Sequence, residues 1–431
     1  MGHNIRKYLI RGLMMKKNHL DKYFAKTFIG AACFSLLLSV MSCTTFGAVE
    51  DDFRDEGYDV INNSITVNSE GDVSEIGANK GLMSATSIYC VHNAKQTGEI
   101  SENGQNGKPY YAAGSGVIYK LFEDGSAFIL TNYHVIYDAK SKTKNGISDN
   151  ISLFLYGMES SKYKIEAKYV GGSANYDVAV LYVNGSDVMR SAMKNGVIRS
   201  AEIGDEVCAG QKTLAIGNPS GSGVGGLSVT SGIVSVDSEY ISMSKPDGSG
   251  NTKFRVIRTD TAINSGNSGG GLFDANGKLI GIINAKISGS TVENIGYAIP
   301  ISVAKGVADN IIHNCHGKDN ESVLRASLGI SLEAQDSYAL FDYNTSTLVK
   351  KEKVVIKELD RAYRINESFK KGDIIKYIEI DGNRREIGRI YHVVDKMLEA
   401  NSGSTIIIQV SRGGQDIEIS LTVDPKYLIK C

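Results

Sequence analysis

From Ser84 onward the chain alternates short apolar runs with turn residues. Ser87-Ile88-Tyr89-Cys90-Val91 is the first run, and Ser126–Asn132, Val178–Val183 and Leu227–Val234 repeat the pattern. Runs of this length, rich in β-branched residues and bounded by Gly, Asn, Asp and Ser, predict β-strands. Lys140–Asn150 and Ser244–Thr252 are polar and predict surface loops. The period changes over residues 301–315, where Val303, Val307, Ile311 and Ile312 fall at helical intervals. A linking helix, assigned to 303–323, is expected to join a large domain (83–302) to a smaller one (324–427). Upstream, residues 44–82 are acidic, with Asn, Ser and Gly and no sustained period, and predict a flexible tether.

The first 43 residues differ in kind. They hold seven Lys/Arg against one acid, a net +6, which leaves −7 for the rest of a chain whose overall charge is −1. The basic stretch leads into Thr27–Ser42, a 16-residue apolar run. A spanning helix needs about 20 residues, so the run better fits the hydrophobic region of an export signal. Val40-Met41-Ser42-Cys43 loosely resembles a lipoprotein cleavage box. A cleaved leader, a lipidated cysteine and an uncleaved anchor all remain open, and Met14 and Met15 admit a later start. Each of the three places the remaining chain outside the cytoplasmic membrane, with membrane association through the N-terminal segment.

Length (431 residues) leaves room for two or three domains. Five prolines, 47 glycines and no tryptophan accompany a middle region rich in Val, Ile, Ser and Thr, which favours β-structure with many turns. A mildly acidic chain carries no footprint for nucleic acid. Of six cysteines, Cys33 and Cys43 lie in the N-terminal segment, while Cys90, Cys208, Cys315 and Cys431 are widely spaced. No Cys-x-x-Cys or Cys/His cluster suggests a metal, and an exported chain admits a disulfide whose pairing the spacing does not give. Gly221–Gly226 contains a Gly-x-Gly-x-x-Gly, but a strand-like run follows where dinucleotide binding needs a helix, so it is read as a loop near the active site.

Gly266-Asn267-Ser268-Gly269-Gly270 carries the strongest chemical signal. A serine hydroxyl attacks a carbonyl poorly unless a base takes its proton and donors hold the oxyanion. Glycine tolerates positive φ, a freedom that lets the Gly266 and Ser268 amides converge on one point. Alone the motif reads equally well as a turn. Among seven histidines, His134 ends the apolar run Ser126–Asn132, where an imidazole can face a cleft. Asp177 stands directly ahead of the apolar run Val178–Val183, placed for burial beside a partner. His134, Asp177 and Ser268 follow in that order, 43 and 91 residues apart. That order is the chymotrypsin one, distinct from those of subtilisins and α/β-hydrolases.

Seven collinear blocks then make the chain resemble an HtrA (Deg-type) serine protease: Gly114–Ile118, Leu130–Ile136, Tyr176–Val180, Ala215–Pro219, Thr230–Val234, the Ser268 block and Gly296–Pro300. The resemblance implies a mainly β fold, a chymotrypsin-type double β-barrel followed by an α+β PDZ domain. It also implies a triad of His134, Asp177 and Ser268, an oxyanion hole of Gly266 and Ser268, no cofactor and a homotrimer acting on unfolded or misfolded envelope proteins. Alignment places the S1 floor at Ala262, with Ile263 and the segment Ile282–Ile287, including Ile283 and Ala285, as walls. Without an acid at the floor, small or medium apolar P1 residues are expected. Leu328-Gly329-Ile330 corresponds to the PDZ carboxylate-binding loop, Lys371–Gly382 to a central hairpin and Ile390–Ala400 to the groove helix, so C-terminal peptides are the expected ligands there. The chain departs from the family at Ser265 and Gly271, where prolines are usual, which should leave the nucleophile loop more mobile. A PDZ scaffold with a silent protease domain, and a protease with one signalling substrate, are the rival readings.

Overall fold

The computed structural model describes residues 73–93, 109–143, 145–219, 226–285, 295–314, 323–360, 362–363, 365 and 367–430. All of them belong to one compact unit, Asn63–Cys431. The N-terminal segment, most of the Gly221–Gly226 loop, Cys315 and Cys431 lie outside the described residues.

Helix α1 (Val73–Leu82) comes first and replaces the last ten residues of the tether expected over 44–82, whose other residues lie outside those described. Its sequence, with Gly77 and Gly81 and few spaced apolar positions, looks like a loop because each helical glycine costs about 1 kcal/mol relative to alanine. Here both glycines serve close approach. A Cβ on Gly77 would overlap the Ala275 carbonyl, and one on Gly81 would press on Ile216 and Phe273.

Strands β1 (Ala85–Asn93), β2 (Pro109–Leu121), β3 (Ala127–Thr131), β4 (Asn150–Leu155), β5 (Ile165–Ser173) and β6 (Val178–Val183) close a barrel in the order β1-β2-β3-β6-β5-β4. The short helix α2 (Tyr133–Ile136) follows β3, and α3 (Asp187–Lys194) follows β6. Strands β7 (Lys212–Gly217), β8 (Ser228–Ser244), β9 (Asn251–Thr259), β10 (Gly271–Asp274), β11 (Leu279–Ile283) and β12 (Gly296–Pro300) close a second barrel, β10-β11-β12-β9-β8-β7. The continuous apolar run of β6 reflects burial on both faces. Ala179, Leu181 and Val183 fill the first barrel, while Val178 and Val180 join the cluster that packs the two barrels together with Ile216, Phe273 and Ile282.

Helix α4 runs from Ile301 to Asn314, starting two residues before the expected linking helix, and residues 315–322 are not among those described. Val303, Val307 and Ile311 are fully buried in the inter-barrel cluster, so the helix is part of the protease core as well as the connection. Beyond it, β13 (Leu324–Ala326) pairs with β20 (Leu428–Lys430). A larger sheet runs β14 (Ile330–Asp342), β15 (Thr347–Leu359), β16 (Ile374–Ile380), β18 (Thr405–Arg412), β19 (Gln415–Thr422), with β17 (Asn383–Glu386) on β16. Helix α5 (Ile390–Lys396) continues as a 3₁₀ turn, Met397–Glu399, close to the groove helix read from sequence.

A buried polar seam docks this sheet on the second barrel. Arg255 of β9 pairs with Asp395 of α5, at 6% and 5% side-chain exposure. Ser302 bridges them, accepting from Arg255 at 2.7 Å and donating to Asp395 at 2.8 Å. The guanidinium also lies 4.0 Å from the Tyr391 ring centroid. Nearby, Arg389 donates to Asp237 at 2.8 Å, and Glu206 meets His392 and Arg385. Burial alone would raise the Glu206 pKa, but the His392 and Arg385 contacts hold it down to about 2. Removing one member of a buried ion pair strands the other and costs roughly 3–5 kcal/mol. Arg255→Ala and Asp395→Ala are each expected to lose stability on that scale in urea unfolding. The double variant should lose clearly less than the sum, and strict additivity would show that the pair is not coupled.

Candidate active site

The nucleophile loop spans the turn between β9 and β10, and the structure brings His134, Asp177 and Ser268 together across the seam between the barrels. His134 sits on α2 immediately after β3. Its Nε2 is 2.9 Å from Ser268 Oγ and its Nδ1 is 2.6 Å from Asp177 Oδ2. With the Nδ1 proton directed at the carboxylate, Nε2 is left to accept from the serine hydroxyl. His134 keeps 17% side-chain exposure, against 1% for Asp177, so the imidazole has one open edge and the carboxylate none.

Asp177 is held by donors from both barrels. Oδ1 accepts from the His134 backbone N–H at 2.9 Å, and Oδ2 accepts from Asn284 Nδ2 at 2.8 Å. Its own carbonyl accepts from Asn132 Nδ2 at 2.9 Å. Asp177 takes φ 52°, a left-handed conformation uncommon outside glycine, at the sharp turn into β6. Asn284 was not found from the sequence: a single Asn after an apolar run carries no local signal.

Around the nucleophile, Gly266 (φ 95°) and Gly269 (φ 82°) both need positive φ. A Cβ at Gly269 would overlap Thr131 Oγ1 and the Ser115 carbonyl. Gly269 N–H donates to the Ile283 carbonyl at 3.0 Å and Gly270 N–H to the Asn267 carbonyl at 2.9 Å. Among the described residues, the Gly266 and Ser268 amides donate to nothing. Two unpaired amides beside a serine hydroxyl are the donors an oxyanion would need.

The residues expected around S1 differ in exposure. Strand β11 stops at Ile283, and Ile283 is fully buried in the second-barrel core with Val234, Ile257 and Leu272, so it cannot line an open pocket. Ile263 is half-buried against that cluster. Ala262 is exposed, with its carbonyl accepting from Thr230 Oγ1 at 2.9 Å. Ala285 is half-buried; Lys286 and Ile287 lie outside the described residues. In the C-terminal unit Leu328 goes into the core, while Gly329 takes φ 59° with Tyr363 packed where a Cβ would stand. Ile330 opens β14, the edge strand of the sheet.

Among the described residues there is no cluster of His, Cys, Asp and Glu able to hold a metal, and no helix is long and apolar enough to cross a membrane. Cys90 and Cys208 are free thiols, and burial pushes the Cys90 pKa up to about 12.

A family model for the trypsin-like peptidase domain matches residues 114–282. The Do-like HtrA serine protease of Bacillus subtilis (strain 168) is 31% identical over 359 residues, covering 80% of this chain and 70% of that protein. The Lactobacillus helveticus Do-like HtrA serine protease is 30% identical over 335 residues, covering 75% and 71%. The solved HtrA-type protease AlgW with decapeptide is similar at 26% identity, covers 81% of this chain and 98% of that one, and gives a TM-score of 0.46. The double-barrel topology, the peptidase-domain match and the two Do-like HtrA relatives place the chain in the Do-like HtrA family of trypsin-like serine endopeptidases.

Proposed function

We propose that Ser268, His134 and Asp177 are the catalytic triad of this endopeptidase. The observation that carries the reading is the unbroken line Ser268 Oγ–His134 Nε2 and His134 Nδ1–Asp177 Oδ2, at 2.9 and 2.6 Å. In that reading Ser268 attacks the scissile carbonyl while His134 takes its proton. The Gly266 and Ser268 amides hold the oxyanion. His134 then protonates the leaving amine, and water releases the acyl-enzyme by the same route. Asp177 keeps the imidazole tautomer, and Asn284 keeps Asp177 in place. No step calls on a cofactor.

Apolar P1 residues such as Val, Ala, Ile or Leu fit a site with Ala262 and Ile263 and no acid at that position. The C-terminal unit is read as a PDZ domain. Its edge strand β14 runs beside α5 and begins at Ile330, directly after Leu328-Gly329, the arrangement in which a C-terminal peptide adds as a strand and its carboxylate meets backbone amides. The export-type N-terminal segment supports action outside the cytoplasmic membrane, and the family resemblance supports unfolded or misfolded proteins as substrates of a homotrimer.

Casein cleavage by the full chain beside Ser268→Ala tests the triad. Cleavage lost in the variant is expected, and cleavage that survives it sinks the assignment. In a peptide series, P1 Val should be cut faster than P1 Arg; the reverse order would overturn the S1 reading. Asn284→Ala, which leaves Asp177 Oδ2 with the imidazole alone, is expected to lower kcat by roughly tenfold with little change in KM, since a looser orienting group weakens general-base catalysis worth about 10²–10⁴. An unchanged kcat would show that the two His134 donors suffice.

A further inference from the structure

We propose that Ser115 is a positioning residue whose hydroxyl holds the nucleophile loop in the shape that presents the Gly266 and Ser268 amides; this rests on the triad reading above. Ser115 lies on β2 in the first barrel and is fully buried. It grips the loop of the second barrel on both sides of Asn267. Its backbone N–H donates to the Ser268 carbonyl at 2.8 Å, and its hydroxyl donates to the Gly266 carbonyl at 2.8 Å.

The hydroxyl is oriented by a third contact. Asn218 N–H, at the end of β7, donates to Ser115 Oγ at 2.8 Å. With a lone pair committed to Asn218, the Ser115 proton is aimed at Gly266. Asn218 is itself tied to the first barrel, its Nδ2 donating to Tyr89 Oη at 2.8 Å. Its carbonyl occupies the space a Cβ on Gly266 would need. The Ser115 carbonyl is used as well, accepting from Thr131 Oγ1 at 2.8 Å.

Why the loop needs this follows from its composition. Thr261–Leu272 contains four glycines and no proline. Nothing covalent restricts φ there, and a glycine peptide has several accessible orientations. The Gly266–Asn267 peptide plane is fixed instead by its carbonyl, held at Ser115. The Gly266 N–H belongs to the preceding peptide plane, which is linked to this one through φ, here 95°, and ψ of Gly266, so holding the carbonyl restricts the range over which that N–H can turn. Alanine at 115 would remove the donor to the Gly266 carbonyl and the acceptor for the Asn218 amide, and free the plane to turn.

The test uses the full chain with a chromogenic peptide substrate, a fluorophosphonate that labels the serine, and active-site titration. Ser115→Ala should lower kcat by about 10²-fold, the scale of one oxyanion donor, with KM within about threefold and labelling slowed in step. Ser115→Thr, which keeps the hydroxyl, should retain most of the rate. Ser115→Cys keeps the shape but donates weakly, and should lose kcat while folding normally by circular dichroism; it decides the matter if the alanine variant does not fold. Ser115→Ala or Ser115→Cys with kcat within about threefold of wild type would overturn the proposal, as would a rate loss equal to the lost fraction of titratable sites. Wild-type activity that survives Ser268→Ala would instead sink the triad reading, and the role of Ser115 with it.

Discussion

Everything at the site depends on keeping the Asp177 carboxylate out of water. A buried carboxylate is tolerated only where hydrogen bonds replace its hydration. Here three donors do so: the His134 backbone N–H, the His134 ring and the Asn284 amide. Two come from the first barrel and one from the second, so the carboxylate is satisfied only when the barrels are docked. The same bonds turn the imidazole toward Ser268. Orientation and burial are therefore one constraint met by one set of contacts.

The docking that this requires is visible in how strands are shared between cores. Alternate residues of β6 face opposite ways: Ala179 and Leu181 fill the first barrel, while Val178 and Val180 pack toward the second. Asp177 immediately precedes this doubly buried strand, and its left-handed backbone makes the turn into it. Helix α4 adds Val303, Val307 and Ile311 to the same inter-barrel cluster, and α1 adds Ala78 and Leu82 at its margin. The site sits on this seam because only there can donors from both barrels converge.

Much of this was legible in the sequence, and the reason is physical. Fully buried strands read as apolar runs, and His134 and Asp177 stand at the ends of such runs, where a polar side chain can reach a cleft. Four signals were not local. Helix α1 hides its two glycines as breakers when they are contact points with Ala275 and Phe273. Asn284 acts on a residue 107 positions away. Ile283, expected from the family alignment at a pocket wall, lies on β11, which is buried on both faces, so the sequence alone does not tell wall from core. Arg255 and Asp395 are 140 positions apart, and neither stands out in its own neighbourhood.

Loss of stiffness in the nucleophile loop is the point on which sequence and structure bear together. Ser265 and Gly271 deprive the loop of the φ restriction that proline would give, and a loop rich in glycine pays heavily in conformational entropy to hold one shape. Besides its internal bonds, the loop is held from outside by Ser115 at Gly266 and Ser268 and by Ile283 at Gly269 and Gly270. Ser115 belongs to the first barrel and Ile283 to the second. Local rigidity has thus been moved from the covalent chain into the barrel seam, so whatever loosens the packing of Val178, Val180, Phe273 and Ile282 also loosens the nucleophile. In this fold the order of the Ser268 loop therefore depends on contacts that the docking of the two barrels brings together.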